Sequence, residues 1–173
     1  MQLAPPRDHA DARPGAASVR VLFLCTGNSA RSQMAEALAR ARSGGRIEAH
    51  SAGSHPKALH PNALRVLREH DIELAGQQPK HLGVYAGTRF DSVITLCDRV
   101  REVCPEFPGH PEVIHWSIPD PTTAGEDDAA TYPAFQRTAA ELETRIGFLV
   151  GALADPTTAG APEAHWPTPG GAS

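Results

Sequence analysis

The chain has 173 residues, 16 of them Lys or Arg against 20 Asp or Glu, for a net charge of −4; this allows one domain with a sizeable core and is too short for two. There is no basic excess to draw in a nucleic-acid backbone, and the apolar runs fall far short of the roughly 20 residues of a membrane span, so neither a nucleic acid nor a membrane is an expected partner. Three cysteines without a C-x-x-C pair and the lack of a signal-peptide apolar run make a cytoplasmic protein with reactive or inert thiols the expectation.

Residues 1–17, "MQLAPPRDHADARPGAA", hold three prolines and almost no large apolar side chain, a composition that reads as a flexible arm. A catalytic domain is expected over 18–152. Val19 to Leu24 is an apolar run of strand length, and Ser32 to Arg42 sets Met34, Ala35, Leu38 and Ala39 on one helical face. Ile47 to Ser51 is a weaker second strand. Pro61 to His70 reads as a helix opened by proline, with Leu64 and Leu67 at helical spacing. "SVITL" from Ser92 and "EVIHW" from Glu112 are a third and a fourth strand, and Tyr132 to Ala152 is a long helix with Phe135, Leu142, Ile146 and Leu149 as its stripe. Residues 153–173, rich in Pro, Gly and Ala, read as a disordered tail.

Strands alternating with helices predict an α/β fold, a four-stranded parallel sheet flanked by helices. In the order 2-1-3-4 the ligand crevice lies at the carboxyl ends of the first and third strands. Cys25 follows the first of these and Cys97 the third, so the two thiols are expected at one crevice.

The loop between the first strand and helix is "CTGNSAR". Gly27 and Asn28 tolerate left-handed backbone angles, which lets the N–H groups of Thr26, Gly27, Asn28, Ser29 and Ala30 turn inward as a nest for a tetrahedral oxyanion. The helix N-terminus adds positive partial charge, Arg31 can clamp two oxygens, and the same field favours a nucleophilic Cys25 thiolate. The alternative is a buried core thiol that merely ends a strand. An oxyanion substitution also needs a proton for the departing oxygen. Asp120, in "WSIPDPTTAG" after the fourth strand, reaches the same end of the sheet, although Asp-Pro is also a common turn former. The repeated "DPTTAG" at 155–160 puts Asp155 in the tail, with no strand to deliver it to the crevice.

From Val19 to Leu149, and most specifically in "CTGNSARSQMAE", the chain resembles the low-molecular-weight protein tyrosine phosphatase superfamily, and within it the thioredoxin-coupled arsenate reductases. The resemblance implies a nucleophile at Cys25, an anion clamp at Arg31, a loop-stabilising Asn28, a Ser32 that hydrogen-bonds the nucleophile, and an acid at Asp120. It further implies a relay in which Cys97 displaces arsenite from a Cys25–arsenate adduct, Cys104 then takes over the disulfide, and thioredoxin reduces it. No tightly bound cofactor is implied, and a monomer is expected. Some relatives bind potassium through counterparts of Asn28, Glu36, Ser51 and an Asp. Lys80 stands where that Asp would align, so its ammonium is expected in place of the ion, with no other metal site foreseen.

Spacing adds a requirement of its own. Were residues 97–104 one regular helix, the two cysteines would lie roughly 10 Å apart, whereas a disulfide needs Cα atoms within about 7 Å. The segment must bend or unwind. The rival readings are a phosphatase acting on phosphotyrosine or a small phosphoester, and a non-catalytic sensor of oxyanions or redox state. Thr122 and Thr123 after the Asp-Pro, and an aromatic content of only 5%, lean away from an aryl substrate; an acid at Asp120 leans away from a sensor. Weak phosphatase activity is expected as a side reaction.

Overall fold

The computed structural model describes residues 18–154 apart from Ala75; the arm, the tail from 155 and Asp155 lie outside the described residues. Four parallel strands form one sheet in the order β2-β1-β3-β4, with β1 at Val19–Cys25, β2 at Ile47–Gly53, β3 at Ser92–Thr95 and β4 at Glu112–His115. The expected order is the observed one. β1 runs one residue further than its apolar pattern suggests, because Cys25 still pairs with Gly53.

Alternation along β1 divides the core in two. Val21 and Phe23 face Met34 and Leu38 of α1 (Arg31–Arg42), Val66 and Leu67 of α2 (Pro61–Glu69), and Phe135, Leu142 and Ile146 of the long terminal helix. Leu22 and Leu24 face the opposite side with Val93, Leu82, Phe90 and Phe107. That side is covered lightly, by a 3-10 turn at Leu82–Tyr85 and by α3 (Asp98–Glu102), which buries only Val100. Neither element is long enough to show a period in the sequence.

The terminal helix, α4, spans Asp128–Ala154 and starts four residues before the expected Tyr132. The Asp127 carboxylate accepts the Ala130 N–H at 2.7 Å, a cap that nucleates the helix ahead of Pro133. α2 is capped by His60, whose Nδ1 accepts the Asn62 N–H at 3.2 Å while its ring stacks on Phe135 at 4.6 Å. The sheet thus delivers Cys25, the α1 N-terminus and the residues after β3 and β4 to one end of the molecule. Among the described residues no helix is long and apolar enough to cross a membrane.

Candidate active site

The loop from Cys25 to Arg31 is shaped by where its carbonyls go. Thr26 O accepts the His55 N–H at 2.8 Å, Gly27 O the Lys57 N–H at 2.9 Å, and Ser29 O the His60 N–H at 2.9 Å. In a trans peptide the N–H points opposite to the carbonyl, so the N–H groups of Gly27, Asn28 and Ala30 turn the other way, into the loop. The Asn28 N–H indeed reaches Cys25 Sγ at 3.2 Å.

Asn28 holds this shape at φ 44°, a left-handed conformation that Asn accepts more readily than most residues. It is fully buried, and its side chain is satisfied on both sides. Its Nδ2 donates to Ser32 Oγ at 2.8 Å and Ser51 Oγ at 2.9 Å, and its Oδ1 accepts Gln33 Nε2 at 3.1 Å and the Lys80 backbone N–H at 2.9 Å. Because Ser32 Oγ already receives a proton from Asn28, its own hydroxyl is free to donate to Cys25 Sγ, 2.8 Å away. Two donors therefore converge on a sulfur that is 2% exposed, at the start of a twelve-residue helix. Both contacts fix the sulfur at the head of the anion loop.

Gly53 makes a contribution that the sequence does not announce. A Cβ there would lie 2.6 Å from Thr26 O and 2.8 Å from Asn28 N, so any side chain would push the loop away from β2.

Arg31, the first residue of α1, is buried and donates to Ile118 O at 3.0 Å and to Asp120 Oδ2 at 3.1 Å. The other Asp120 oxygen accepts both the Thr122 N–H at 3.0 Å and the Thr122 hydroxyl at 2.7 Å. Asp120 keeps 38% of its side chain exposed. The loop after β4 thus brings a carboxylate to the clamp, as the Asp-Pro motif suggested. A cavity of about 660 Å³ opens above, lined by Cys25, Arg31, Asp120, Cys97, Lys57 and Arg99.

Cys97 caps α3 from an extended backbone and lies half-buried, with its Sγ 3.3 Å from Thr26 Oγ1 of the anion loop. Cys104 follows the C-terminal end of α3, half-buried against the Leu22 side of the core. Burial pushes its thiol up from its ordinary value. All three cysteines are free. Residues 97–104 are not one helix: α3 is five residues long and both thiols stand outside it. The helix is short, and among its residues only Val100 is buried in the core.

The residues proposed around a cation lie together behind the loop. Ser51 Oγ donates to Glu36 Oε2, and Lys80 Nζ stands 3.8 Å from the same carboxylate oxygen. Arg40, which sequence reasoning missed, is closer, with its guanidinium 2.6 Å from Glu36 Oε1. Glu36 and Arg40 are four positions apart in one helix, a spacing visible in the sequence. With Asn28 Oδ1 filled by two N–H donors and Glu36 matched by two side-chain cations, the donor set does not fit a potassium ion.

Residues 20–158 match the family described as low molecular weight phosphotyrosine protein phosphatase. An arsenate reductase of Bacillus anthracis is 38% identical over 126 residues, which is 73% of this chain and 90% of that one. A thioredoxin-dependent arsenate reductase of Corynebacterium glutamicum superposes with a TM-score of 0.61 at 32% identity, covering 79% of this chain and 62% of the other. An arginine phosphatase from Geobacillus stearothermophilus gives 0.64 at 27% identity, over 79% and 93%. A cysteine and an arginine framing an anion loop, a carboxylate beside them and this match over most of its length make the chain a member of the low-molecular-weight phosphotyrosine protein phosphatase family.

Proposed function

We propose that the protein is an arsenate reductase working by a three-cysteine relay, with thioredoxin as electron donor. The observation that carries this reading is the position of Cys97, whose thiol shares the cavity with Cys25 and touches Thr26 of the anion loop. Phosphoester hydrolysis has no use for a second thiol there. The relatives that are arsenate reductases, one of them thioredoxin-dependent, support the same choice.

Arsenate sits in the loop on inward N–H groups and the Arg31 fork. Its charge competes with Asp120 for the guanidinium, and the carboxylate so released takes up a proton from solvent, which it then passes on as the acid. Cys25 thiolate attacks arsenic; an S–As bond forms, an As–O bond breaks, and Asp120 supplies the proton with which the oxygen leaves as water. Cys97 thiolate then attacks Cys25 Sγ. The S–S bond forms, the S–As bond breaks with its electron pair passing to arsenic, and arsenite departs. Two thiolates have lost two electrons and arsenic has gained them. Cys104 next attacks Cys97, which frees Cys25 and leaves a Cys97–Cys104 disulfide for thioredoxin. Burial disfavours the Cys104 thiolate in the reduced state, so α3 must loosen before this last attack, and its single buried residue makes that inexpensive.

The step order is tested in Cys104→Ser. With arsenate and no reductant, this variant is expected to release one arsenite per chain and stop as a Cys25–Cys97 disulfide, read by peptide mass mapping. Continued turnover, or an adduct without that disulfide, would contradict the relay. Lys80 and Arg40 are proposed to serve Glu36 in place of potassium; exchanging sodium for potassium at constant ionic strength should change kcat/KM by less than about twofold, whereas a bound ion stimulates by more. Phosphate competes for the loop, and slow phosphoester hydrolysis by Cys25, Arg31 and Asp120 accompanies the reductase activity.

A further inference from the structure

His115, the last residue of β4, faces Thr95 of β3 across the sheet. Its two ring nitrogens are both engaged, Nδ1 with Thr95 Oγ1 at 2.8 Å and Nε2 with Asp98 Oδ1 at 2.9 Å. A carboxylate can only accept, so Nε2 donates to Asp98, while Nδ1 pairs with the Thr95 hydroxyl, which can donate or accept. Thr95 ends β3 and is fully buried; Asp98 begins α3 and is exposed. One imidazole therefore grips the chain on both sides of Leu96 and Cys97. The short α3 has little else to hold it, since it buries only Val100.

We propose that His115 is a positioning residue for the reductase reaction: by hooking Thr95 and Asp98 it fixes the bend that carries Cys97 and keeps that thiol aimed at the anion loop. This rests on the arsenate reductase reading. The hook favours attack of Cys97 on Cys25, where a displacement of about 1 Å is costly. It touches neither Cys25, Arg31 nor Asp120, so hydrolysis of a phosphoester does not depend on it. Asp98 is held by an exposed contact, which is weak enough to release when α3 loosens for Cys104.

The test is the rate of arsenite release in a single turnover of the full chain, with excess arsenate and no thioredoxin, beside p-nitrophenyl phosphate hydrolysis. His115→Ala should slow arsenite release by about fivefold, as befits one partly exposed pair, and leave hydrolysis within about twofold. Asp98→Ala should slow release equally, and the double variant should be no slower than either single one, because both cut the same hook. Asp98→Asn, which keeps an oxygen for the Nε2–H, should restore the rate. Unchanged release in His115→Ala, or losses that multiply in the double variant, would overturn the proposal. Should His115→Ala fold poorly, the Asp98 pair decides alone, since an exposed side chain can be changed without disturbing the core: equal rates in Asp98→Ala and Asp98→Asn overturn it. No arsenite from the wild type would instead overturn the arsenate reductase reading, and this proposal with it.

Discussion

Cys25→Ser is expected to lose both arsenate reduction and phosphoester hydrolysis, each by about 10⁴-fold or more. Serine is close to cysteine in shape, and an oxygen at this position still meets the Ser32 hydroxyl and the Asn28 N–H that now lie 2.8 and 3.2 Å from sulfur. Sulfur is intrinsically the better nucleophile, whereas a serine hydroxyl without a neighbouring base keeps its proton and attacks far more slowly. The loop itself should survive, because its outer carbonyls are tied to His55, Lys57 and His60 and its centre to the four contacts of Asn28. Phosphate titrated by calorimetry should therefore still bind the variant. Loss of both activities with binding retained identifies a nucleophile. Retained activity would assign Cys25 to the core, which is the alternative its burial invites.

Cys97→Ser should separate the two chemistries. Reduction coupled to thioredoxin should fall by at least about 10³-fold, because no second thiol remains at the cavity to displace arsenite. Cys104 cannot substitute directly: it sits beyond α3 against the other side of the sheet, with its thiol held up by burial. Hydrolysis of p-nitrophenyl phosphate should persist, since Cys25, Arg31 and Asp120 keep every contact described for them. A parallel fall in both activities would mean that Cys97 supports the loop, through Thr26, rather than the relay.

The parts of the site that are local in sequence were legible there. An apolar strand, a Gly-Asn loop and a helix follow one another without interruption, so the anion loop could be read from a dozen residues. The crevice holding both Cys25 and Cys97 was legible from topology, because the order 2-1-3-4 leaves one reversal point. The rest depends on approaches between distant segments. Gly53 is required only because β2 brings it against Thr26 and Asn28, and nothing in "SAGSH" says so. The Arg31 contacts with Ile118 and Asp120 span nearly ninety positions. His115 meets Thr95 through the β3–β4 register, which four-residue strands specify weakly by pattern, and Asp98 through the start of α3. α3 is too short for periodicity to reveal, and Arg40 stands at i,i+4 from Glu36, a spacing the sequence shows without saying which cation the carboxylate takes.

Redox chemistry at this phosphatase-like loop is tested most directly by arsenate-dependent NADPH oxidation in the presence of thioredoxin and thioredoxin reductase, with wild type and Cys97→Ser side by side. Sustained oxidation by the wild type and none above background by the variant is the predicted result. Absence of arsenate-dependent oxidation in the wild type, with p-nitrophenyl phosphate still hydrolysed, would contradict it and make Cys25 the nucleophile of a phosphatase.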